Sequence, residues 1–327
     1  MNAYFDLANL RSLSKLGGHQ DFTSCIDMLR QNFNIHFNFD KETVEQEKKK
    51  SKQSIMTLLK SLTRNRTTGD SIVWNDSYPP RPLNEELYSS MTNEHLTSLY
   101  FVDDENIDTM MQQGNLLFAS EGNEINIISN LFIDGRNIPT KKYSIREMNN
   151  WQVIEDNTSP CTDIIIVDPY LFSQSDILYE FNAYKIIEHL SKGHKVCVVI
   201  FTYPRYKDGD VYIDCPFNTI TRQLKTRMGE NLNLTFVIIP NGDRKEHDRT
   251  IITNYKMYDS GDSFTYFNNK SENNSHGKWL HVSSHGDRDN RNLCFQYLNE
   301  LQLLIDSQKS GLNSIIGDKK SNFLKFS

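Results

Sequence analysis

Apolar runs separated by segments of helical spacing dominate the second half of the chain. The segment TDIIIVDPYLF (162–172) contains a continuous Ile-Ile-Ile-Val run that ends at Asp168-Pro169, as expected of a strand buried on both faces. Two further apolar runs, at 194–203 and 233–240, have the same character. Apolar residues recur every three or four positions between these runs, so the order β-α-β-α-β predicts a parallel sheet with right-handed crossovers. The predicted helices cover 173–193 and 218–229.

A hairpin pattern follows the third apolar run. The segment DRTIITNYKMYDSGDSFTYF (248–267) alternates apolar and polar residues, which predicts antiparallel strands around a turn at Ser260-Gly261. A further strand is predicted at 278–284 and a closing helix at 291–306. The last segment, 307–327, is polar, and we expect it to be loosely held.

The first half of the chain is less regular. Its pattern predicts an α+β region over residues 1–150, of unknown role and without an assignable fold, followed by an α/β domain over 155–305 and the polar tail 307–327. The predicted fold class is α/β, with a mixed sheet flanked by helices. The elements predicted in the first half are helices at 21–32, 41–63 and 84–101 and a strand at 35–39.

Composition narrows the class of protein without deciding its function. The chain has 327 residues, 37% of them hydrophobic, and a formal net charge of −6. A negative total still allows a nucleic-acid partner, because binding needs only a local basic patch. The five cysteines form no CxxC pair, which favours reduced thiols in a cytoplasmic protein over a zinc site or a disulfide framework. No apolar run approaches 18 residues, so a membrane span is not predicted.

The candidate catalytic and binding residues lie at the ends of the predicted strands. Open α/β sheets bind ligands beyond the carboxyl ends of their strands, and those ends are Asp168-Pro169-Tyr170, Thr202-Tyr203 and Pro240-Asn241. The last one leads into His247 and Arg249, which would share one face of an extended strand because they are two residues apart. These residues are therefore expected to meet at one edge of the sheet.

The spacing within this stretch resembles that of phospholipase-D-like proteins. Their motif is His-x-Lys, four residues, Asp, six residues, Gly-Ser. Here His247-x-Arg249 is followed after four residues by Asn254 and after six more by Gly261-Asp262. The spacing is the same, but Arg replaces the Lys, Asn the Asp, and Asp262 the Ser.

The sequence is more closely similar to the phospholipase-D-like domain at the C-terminus of MIT-domain proteins. That family has an Asp-Pro-Tyr/Phe strand end, then a helix, and later a His-Asp-Arg that opens a hairpin. DPYLFSQSDILYEFN (168–182) and HDRTIITNYKMYDSGDSFTYF (247–267) follow the same order. The resemblance covers about 155–305, and it does not extend to an MIT helical hairpin in residues 1–150. In that subfamily the domain is a binder rather than an enzyme.

The resemblance implies phosphodiester chemistry without a metal or other cofactor. His247 would be the nucleophile, Arg249 the phosphate clamp, and Asn254 and Asp168 supports of the site. A catalytic form would need a homodimer to supply two histidines. We therefore expect a DNA- or RNA-binding protein, as a nuclease or nuclease-like effector of a bacterial defence complex with other proteins. The alternative is a non-catalytic scaffold that binds nucleic acid, protein or a phospholipid headgroup, although an acidic chain without an amphipathic anchor makes a membrane partner unfavourable.

Each candidate residue also has a structural interpretation. Arg249 could pair with Asp168, Asp168-Pro169 could cap a strand, and Tyr170 could belong to the core. His285 could contribute phosphate contacts, or its loop could enter a helix capped by Asp289 or Asn290. The basic residues of 41–66 could follow a nucleic-acid backbone or form a solvated helix face. Those proposed for nucleic-acid binding are Lys48, Lys49, Lys50, Lys52, Arg64 and Arg66.

Overall fold

The chain divides into two compact units in the computed structural model. Unit 1 comprises Met1–Pro139 and Ser284–Arg291, and unit 2 comprises Thr140–Ser283 and Asn292–Ser327. The structure describes residues 1–50, 54–63, 72–94, 97–113, 116–157, 159, 161–172, 178–203, 205–207, 210–212, 217–239, 249–307 and 315–326. Both units contain a sheet and helices, so the predicted α/β class is confirmed.

Unit 1 is a doubly wound parallel sheet, which the sequence did not predict. Its strand order is β3-β2-β1-β4-β5, and every pair is parallel. The strands are β1 (Asn2–Phe5), β2 (Asn34–Phe37), β3 (Ile72–Val73), β4 (Leu99–Phe101) and β5 (Leu117–Ala119). The helices are α1 (Leu7–Lys15), α2 (Phe22–Asn32), α3 (Lys41–Lys50), α4 (Ser54–Thr63), α5 (Glu85–Glu94), α6 (Ile107–Gln113) and α7 (Glu124–Leu131).

Aromatic side chains fill both faces of this sheet. Tyr4 stacks on Tyr100 with ring centroids 5.4 Å apart, and the next residue, Phe5, stacks on Phe101 at 4.3 Å on the opposite face. The predicted helix over 84–101 is wrong at its end, because Leu99–Phe101 form β4. These three residues are fully buried, and an aromatic-rich buried run favours a strand.

Unit 2 is built on an eight-stranded mixed sheet in the order β15-β11-β8-β7-β12-β13-β14-β6. Its strands are β6 (Thr140–Ser144), β7 (Asp163–Val167), β8 (Val196–Thr202), β11 (Leu232–Ile238), β12 (Arg249–Thr253), β13 (Lys256–Ser260), β14 (Trp279–Ser284) and β15 (Ile315–Gly317), with a separate β9 (Arg205–Lys207) and β10 (Asp210–Tyr212) pair. The helices are α8 (Gln152–Asp156), α9 (Leu178–Phe181), α10 (Ala183–Ser191), α11 (Phe217–Met228) and α12 (Arg288–Ser307), the last beginning in the Ser284–Arg291 segment. Short 3₁₀ turns lie at Ile145–Glu147 and Gly229–Asn231.

The three apolar runs form the parallel centre of this sheet, as predicted. β7 pairs parallel with β8, and β8 pairs parallel with β11. Every residue of β7 is buried. α12 supplies Leu298 and Leu301 to the apolar cluster over one face of the sheet, where Ile165 and Val199 lie. Burial on both faces explains why the sequence of β7 does not alternate.

Two predictions for this unit are wrong. The hairpin turns at Asn254-Tyr255, because β12 pairs antiparallel with β13 around those residues, and Ser260 only ends β13. The described part of the tail is not loosely held: β15 pairs with β11, and Asp163 accepts hydrogen bonds from the Ser321 hydroxyl (2.6 Å) and the Asn322 amide N–H (2.8 Å). The buried carboxylate of Asp163 requires these donors, and they anchor the chain end.

Candidate functional site

Asp168 organises the edge of the sheet at the carboxyl end of β7. Its carboxylate is fully buried and accepts hydrogen bonds from the Tyr170 N–H (3.0 Å), the Ser263 hydroxyl (2.8 Å) and the Phe264 N–H (2.7 Å). Burial raises the pKa of Asp168 to about 6, although these hydrogen bonds and the charge of Arg249 act in the opposite direction. Asp168 therefore joins the end of β7 to the loop after β13, and its turn with Pro169 agrees with the predicted capping role.

Arg249 begins β12 beside Asp168. Its guanidinium donates to the Gly261 carbonyl at 3.2 Å and lies 5.2 Å from the centre of the Tyr170 ring. Only 8% of Arg249 is exposed. The guanidinium thus supports the ring from beneath, in a cation–π arrangement, and contributes a fixed positive charge to this edge.

Tyr170 and Tyr203 form an aromatic surface above that charge. Tyr170 is 41% exposed, so its interpretation as a core residue is wrong. The Tyr203 ring, which follows β8, meets it edge to face with centroids 5.6 Å apart. We call Asp168, Tyr170, Tyr203 and Arg249 the tyrosine edge. The structure brings these four residues together at the carboxyl ends of two parallel strands, where α/β sheets bind ligands.

The remaining motif residues do not all join this group. His247 lies outside the described residues. Asn254 lies at the other end of β12, about 17 Å from Arg249 at roughly 3.4 Å per residue. There its side-chain oxygen accepts hydrogen bonds from the Thr162 N–H (2.7 Å) and the Asp163 N–H (3.2 Å). The structure therefore separates Asn254 from the residues that it was predicted to support, because the extended strand β12 lies between Arg249 and Asn254.

Asp262, which replaces the motif serine, holds a loop. Its carboxylate accepts hydrogen bonds from the Ser275 hydroxyl (2.7 Å) and the backbone N–H groups of Gly277 (3.0 Å) and His276 (3.1 Å). Burial alone would raise the pKa of Asp262, but these hydrogen bonds outweigh it and hold the pKa below its usual range. The carboxylate is thus engaged in structure rather than directed at a phosphate.

His285 belongs to unit 1, whereas the tyrosine edge belongs to unit 2. The His285 side chain is buried, and its carbonyl accepts a hydrogen bond from Arg291 at 2.6 Å. The adjoining helix α12 is capped by Asp287, which accepts from the Asn290 N–H at 3.0 Å. The predicted caps, Asp289 and Asn290, are therefore corrected to Asp287.

The basic residues predicted to bind nucleic acid are only partly described. Lys48, Lys49 and Lys50 lie in the last turn of α3. Lys52, Arg64 and Arg66 lie outside the described residues.

A buried lysine is the feature of unit 2 that the sequence pattern did not indicate. Lys256 begins β13, is fully buried, and donates to the Ser159 hydroxyl at 2.9 Å. Burial, with a smaller contribution from the charge of Lys192, lowers its pKa to about 7. An apolar-polar alternation cannot distinguish this lysine from a solvent-facing one.

Unit 1 carries a polar network at the carboxyl ends of β1 and β4. The Asp6 carboxylate accepts hydrogen bonds from Asn38 (2.6 Å), Arg81 (2.7 Å) and the Asp103 N–H (2.7 Å). Burial raises the pKa of Asp6. The strand order reverses between β1 and β4, which is where doubly wound sheets bind ligands. Among the described residues, no group of three or more His, Cys, Asp or Glu side chains has the arrangement of a metal site.

Comparisons with known proteins do not assign the chain to a family. No family model matches it, and no curated protein matches it. Among solved structures, it is similar to TrmBL2, described as an archaeal chromatin protein with a novel mode of DNA binding, at 10% identity and a TM-score of 0.27. The match covers 50% of this chain and 52% of that one, so the chain spans about half the length of TrmBL2. A TM-score of this size does not establish a shared fold. Within the described residues, no helix has the length and apolar character needed to cross a membrane.

Proposed function

We propose that unit 2 is a phospholipase-D-like domain that binds nucleic acid at the tyrosine edge. The order of its motifs supports the family, since Asp168-Pro169-Tyr170 ends a buried parallel strand and Arg249 opens a hairpin paired with that strand. The observation that carries the binding proposal is the half-exposed Tyr170 ring over the Arg249 guanidinium. Exposed aromatic rings backed by a cation are the surfaces on which single-stranded nucleic acid stacks.

The contacts of the altered motif residues favour binding over catalysis. Asn254 and Asp262 are both committed to hydrogen bonds that hold the fold. A phospholipase-D-like enzyme would use the residues at these two positions to support its catalytic site. Binding by a non-catalytic domain needs only the tyrosine edge. Nuclease activity through His247, and a place as an effector in a defence complex, are finer proposals that depend on this binding.

Binding can be measured by the fluorescence anisotropy of labelled single-stranded DNA and RNA added to the full chain. We expect Tyr170→Ala to weaken binding about 5- to 150-fold, the usual effect of losing one stacked base. Phe295→Ala is the matched control, because Phe295 is also 41% exposed and belongs to α12 of the same unit. Equal loss in both variants, or no binding by the wild-type chain, would contradict the proposal.

Cleavage is tested separately with the same oligonucleotides in the presence of EDTA. Cleavage that survives EDTA and is lost in His247→Ala would support a histidine nucleophile. Binding without cleavage would support the non-catalytic alternative. Cleavage that requires a divalent cation would contradict the metal-independent histidine mechanism that the resemblance implies.

A further inference from the structure

A second concave surface lies in unit 2 beside the hairpin. It is a pocket of about 510 Å³ between the end of β13 and the start of β14. Trp279, which is 48% exposed, supplies the large aromatic ring among the described residues of its lining. The lining residues are Asp259, Ser260, Gly261, Gly277, Lys278, Trp279 and His281.

Strand geometry places the aromatic and polar side chains of this pocket on one face of the sheet. Trp279 and His281 are two residues apart in β14, so they point to the same face, while Leu280 between them is buried. Across the edge strand β6, Ser144 lies opposite Trp279 and Lys142 lies opposite His281. The exposed face at this edge therefore combines an indole, an imidazole and an ammonium group.

The positive charges around Trp279 favour an anionic ligand, and His281 favours one with hydrogen-bonding groups at its edge. Lys278 and Lys142 are both exposed. Burial, with a smaller contribution from the charge of Lys142, lowers the pKa of His281. Its neutral ring offers both a hydrogen-bond donor and an acceptor. Asp259 is the acidic residue of the lining, and it accepts a hydrogen bond from the Thr250 hydroxyl at 2.9 Å.

The loop that presents Lys278 and Trp279 is held firmly in place. Gly277 packs so closely that an added Cβ would lie 2.9 Å from both the Asp262 Cβ and the Ile145 Cδ1. Its N–H donates to the Asp262 carboxylate at 3.0 Å. Because this loop is preorganised, binding costs less entropy. Asp262, at the serine position of the motif, therefore contributes to the pocket by holding the loop in place.

The pocket adjoins the tyrosine edge at Ser260 and Gly261, since Ser260 pairs with Arg249 across the hairpin. Gly261 lines the pocket, and its carbonyl accepts the hydrogen bond from Arg249. Both surfaces thus border the same end of the β12–β13 hairpin. A nucleic-acid strand that contacts Tyr170 would have a second aromatic surface within the same unit.

We propose that this pocket binds a nucleobase, which stacks on Trp279 while Lys278 and Lys142 contact its phosphate. The proposal rests on the proposed function, since it names the part of the nucleic acid that unit 2 recognises. Stacking on an indole tolerates every base, so we expect little sequence preference from Trp279 itself. The same chemistry would admit a base of a single strand or a free mononucleotide.

The experiment compares two labelled oligomers of about ten nucleotides, a length within the site sizes that single-strand-binding OB folds cover. One is oligothymidylate and the other is an abasic oligomer with the same number of phosphates. We expect the full chain to bind oligothymidylate more tightly, and Trp279→Leu to weaken that binding about 5- to 150-fold while leaving abasic binding unchanged. Leu303→Ala is the control, because Leu303 is 68% exposed on α12.

The outcomes separate this inference from the function on which it rests. A wild-type preference for oligothymidylate that Trp279→Leu leaves unaltered would refute the base pocket while preserving base stacking at the tyrosine edge. Equal affinity for both oligomers would refute stacking at both surfaces. Failure of both oligomers to bind would refute the proposed function as well. A parallel titration with thymidine monophosphate, followed by quenching of the Trp279 fluorescence that Trp279→Leu removes, shows whether a free nucleotide is sufficient. Quenching by oligothymidylate alone assigns the pocket to a strand.

Discussion

Replacing Lys256 by methionine tests whether a buried ammonium group limits the stability of unit 2. The Lys256 side chain is fully buried, and its Nζ donates to the Ser159 hydroxyl. Burial is the main reason that its pKa falls from 10.5 to about 7. Methionine retains most of the volume and removes the charge, so the variant isolates the ionisation of this one group.

The direction of the pH effect follows from proton linkage. The folded pKa is depressed, so between about pH 7 and 10.5 the unfolded chain binds more protons than the folded chain. The free energy of unfolding therefore rises with pH across that window, by up to about 1.4 kcal/mol per unit. For a folded pKa of about 7, the gain between pH 7 and 9 is about 2 kcal/mol. Below pH 6 the full penalty is about 5 kcal/mol.

The assay is urea unfolding of the wild-type chain and Lys256→Met at pH 7, 8 and 9. We expect the wild type to gain about 2 kcal/mol relative to the variant over this range. Lys270→Met is the control, since Lys270 is exposed, and its difference from wild type should not change with pH. The buried thiols of Cys161 and Cys294 titrate in both proteins and cancel in the comparison. Parallel stability curves for wild type and Lys256→Met would refute the reasoning.

Three further substitutions test individual parts of unit 2 by urea unfolding. Gly317→Ala should lower the free energy of unfolding by about 2 kcal/mol or more, because Gly317 has φ +109° and an added Cβ would lie 2.1 Å from the Leu234 carbonyl oxygen. Asp168→Asn should cost about 2 kcal/mol, since the new NH₂ would face a backbone N–H in either orientation, one of them that of Phe264. Asn254→Ala should cost about 2 kcal/mol by leaving buried N–H groups without an acceptor, yet the folded variant should bind nucleic acid like wild type.

Matched controls exist for each of these changes. An added Cβ at Gly17 meets nothing within 4 Å, and Asp289 and Asn269 are exposed. Gly17→Ala, Asp289→Asn and Asn269→Ala should therefore each leave stability within about 0.5 kcal/mol of wild type. A stability loss in a control equal to that of its partner would show that the effect does not come from burial. Weaker nucleic-acid binding by folded Asn254→Ala would restore this residue to the site.

The centre of unit 2 could be predicted from sequence because its strands are buried on both faces. Such strands appear as continuous apolar runs, and β7, β8 and β11 each contain one. The helices between them have a single apolar face, so their spacing was also clear. The helix predicted over 173–193 is nevertheless divided into α9 and α10 at Asn182. The parallel arrangement then followed from the order of elements alone.

The sheet of unit 1 could not be predicted in the same way. Its strands contain only two to four residues, too few for a period to emerge. β3 consists of Ile72 and Val73 alone, and β4 follows α5 closely enough that the two were taken as one helix. Parallel pairing of short strands depends on contacts distant in sequence, such as those of Tyr4 with Tyr100, which no local pattern records.

The positions of four candidate residues could be predicted because strand ends are visible in a sequence, whereas turns are not. Asp168, Tyr170, Tyr203 and Arg249 were expected at one edge of the sheet, and they lie there. Asn254 was placed with them because the motif resemblance assigned it to the site, whereas the length of β12 separates it from Arg249. The Asn254 side chain is buried and hydrogen-bonded at the start of β7. The alternation of apolar and polar residues does not reveal a polar side chain that is buried in this way.

The spacing of the His-x-Arg motif therefore carries less chemical information than it first suggests. Five residues from Arg249 to Asn254 are the length of β12, and a strand of that length places its two ends on opposite edges of the sheet. The six residues between Asn254 and Gly261 return the chain along β13 to the Arg249 side, where the guanidinium donates to the Gly261 carbonyl. A hairpin of fixed length would preserve this spacing whether or not any phosphate were bound. Function at this edge is therefore to be tested at the exposed rings beside the hairpin, which are Tyr170 over Arg249 and Trp279 in the pocket that Gly261 lines.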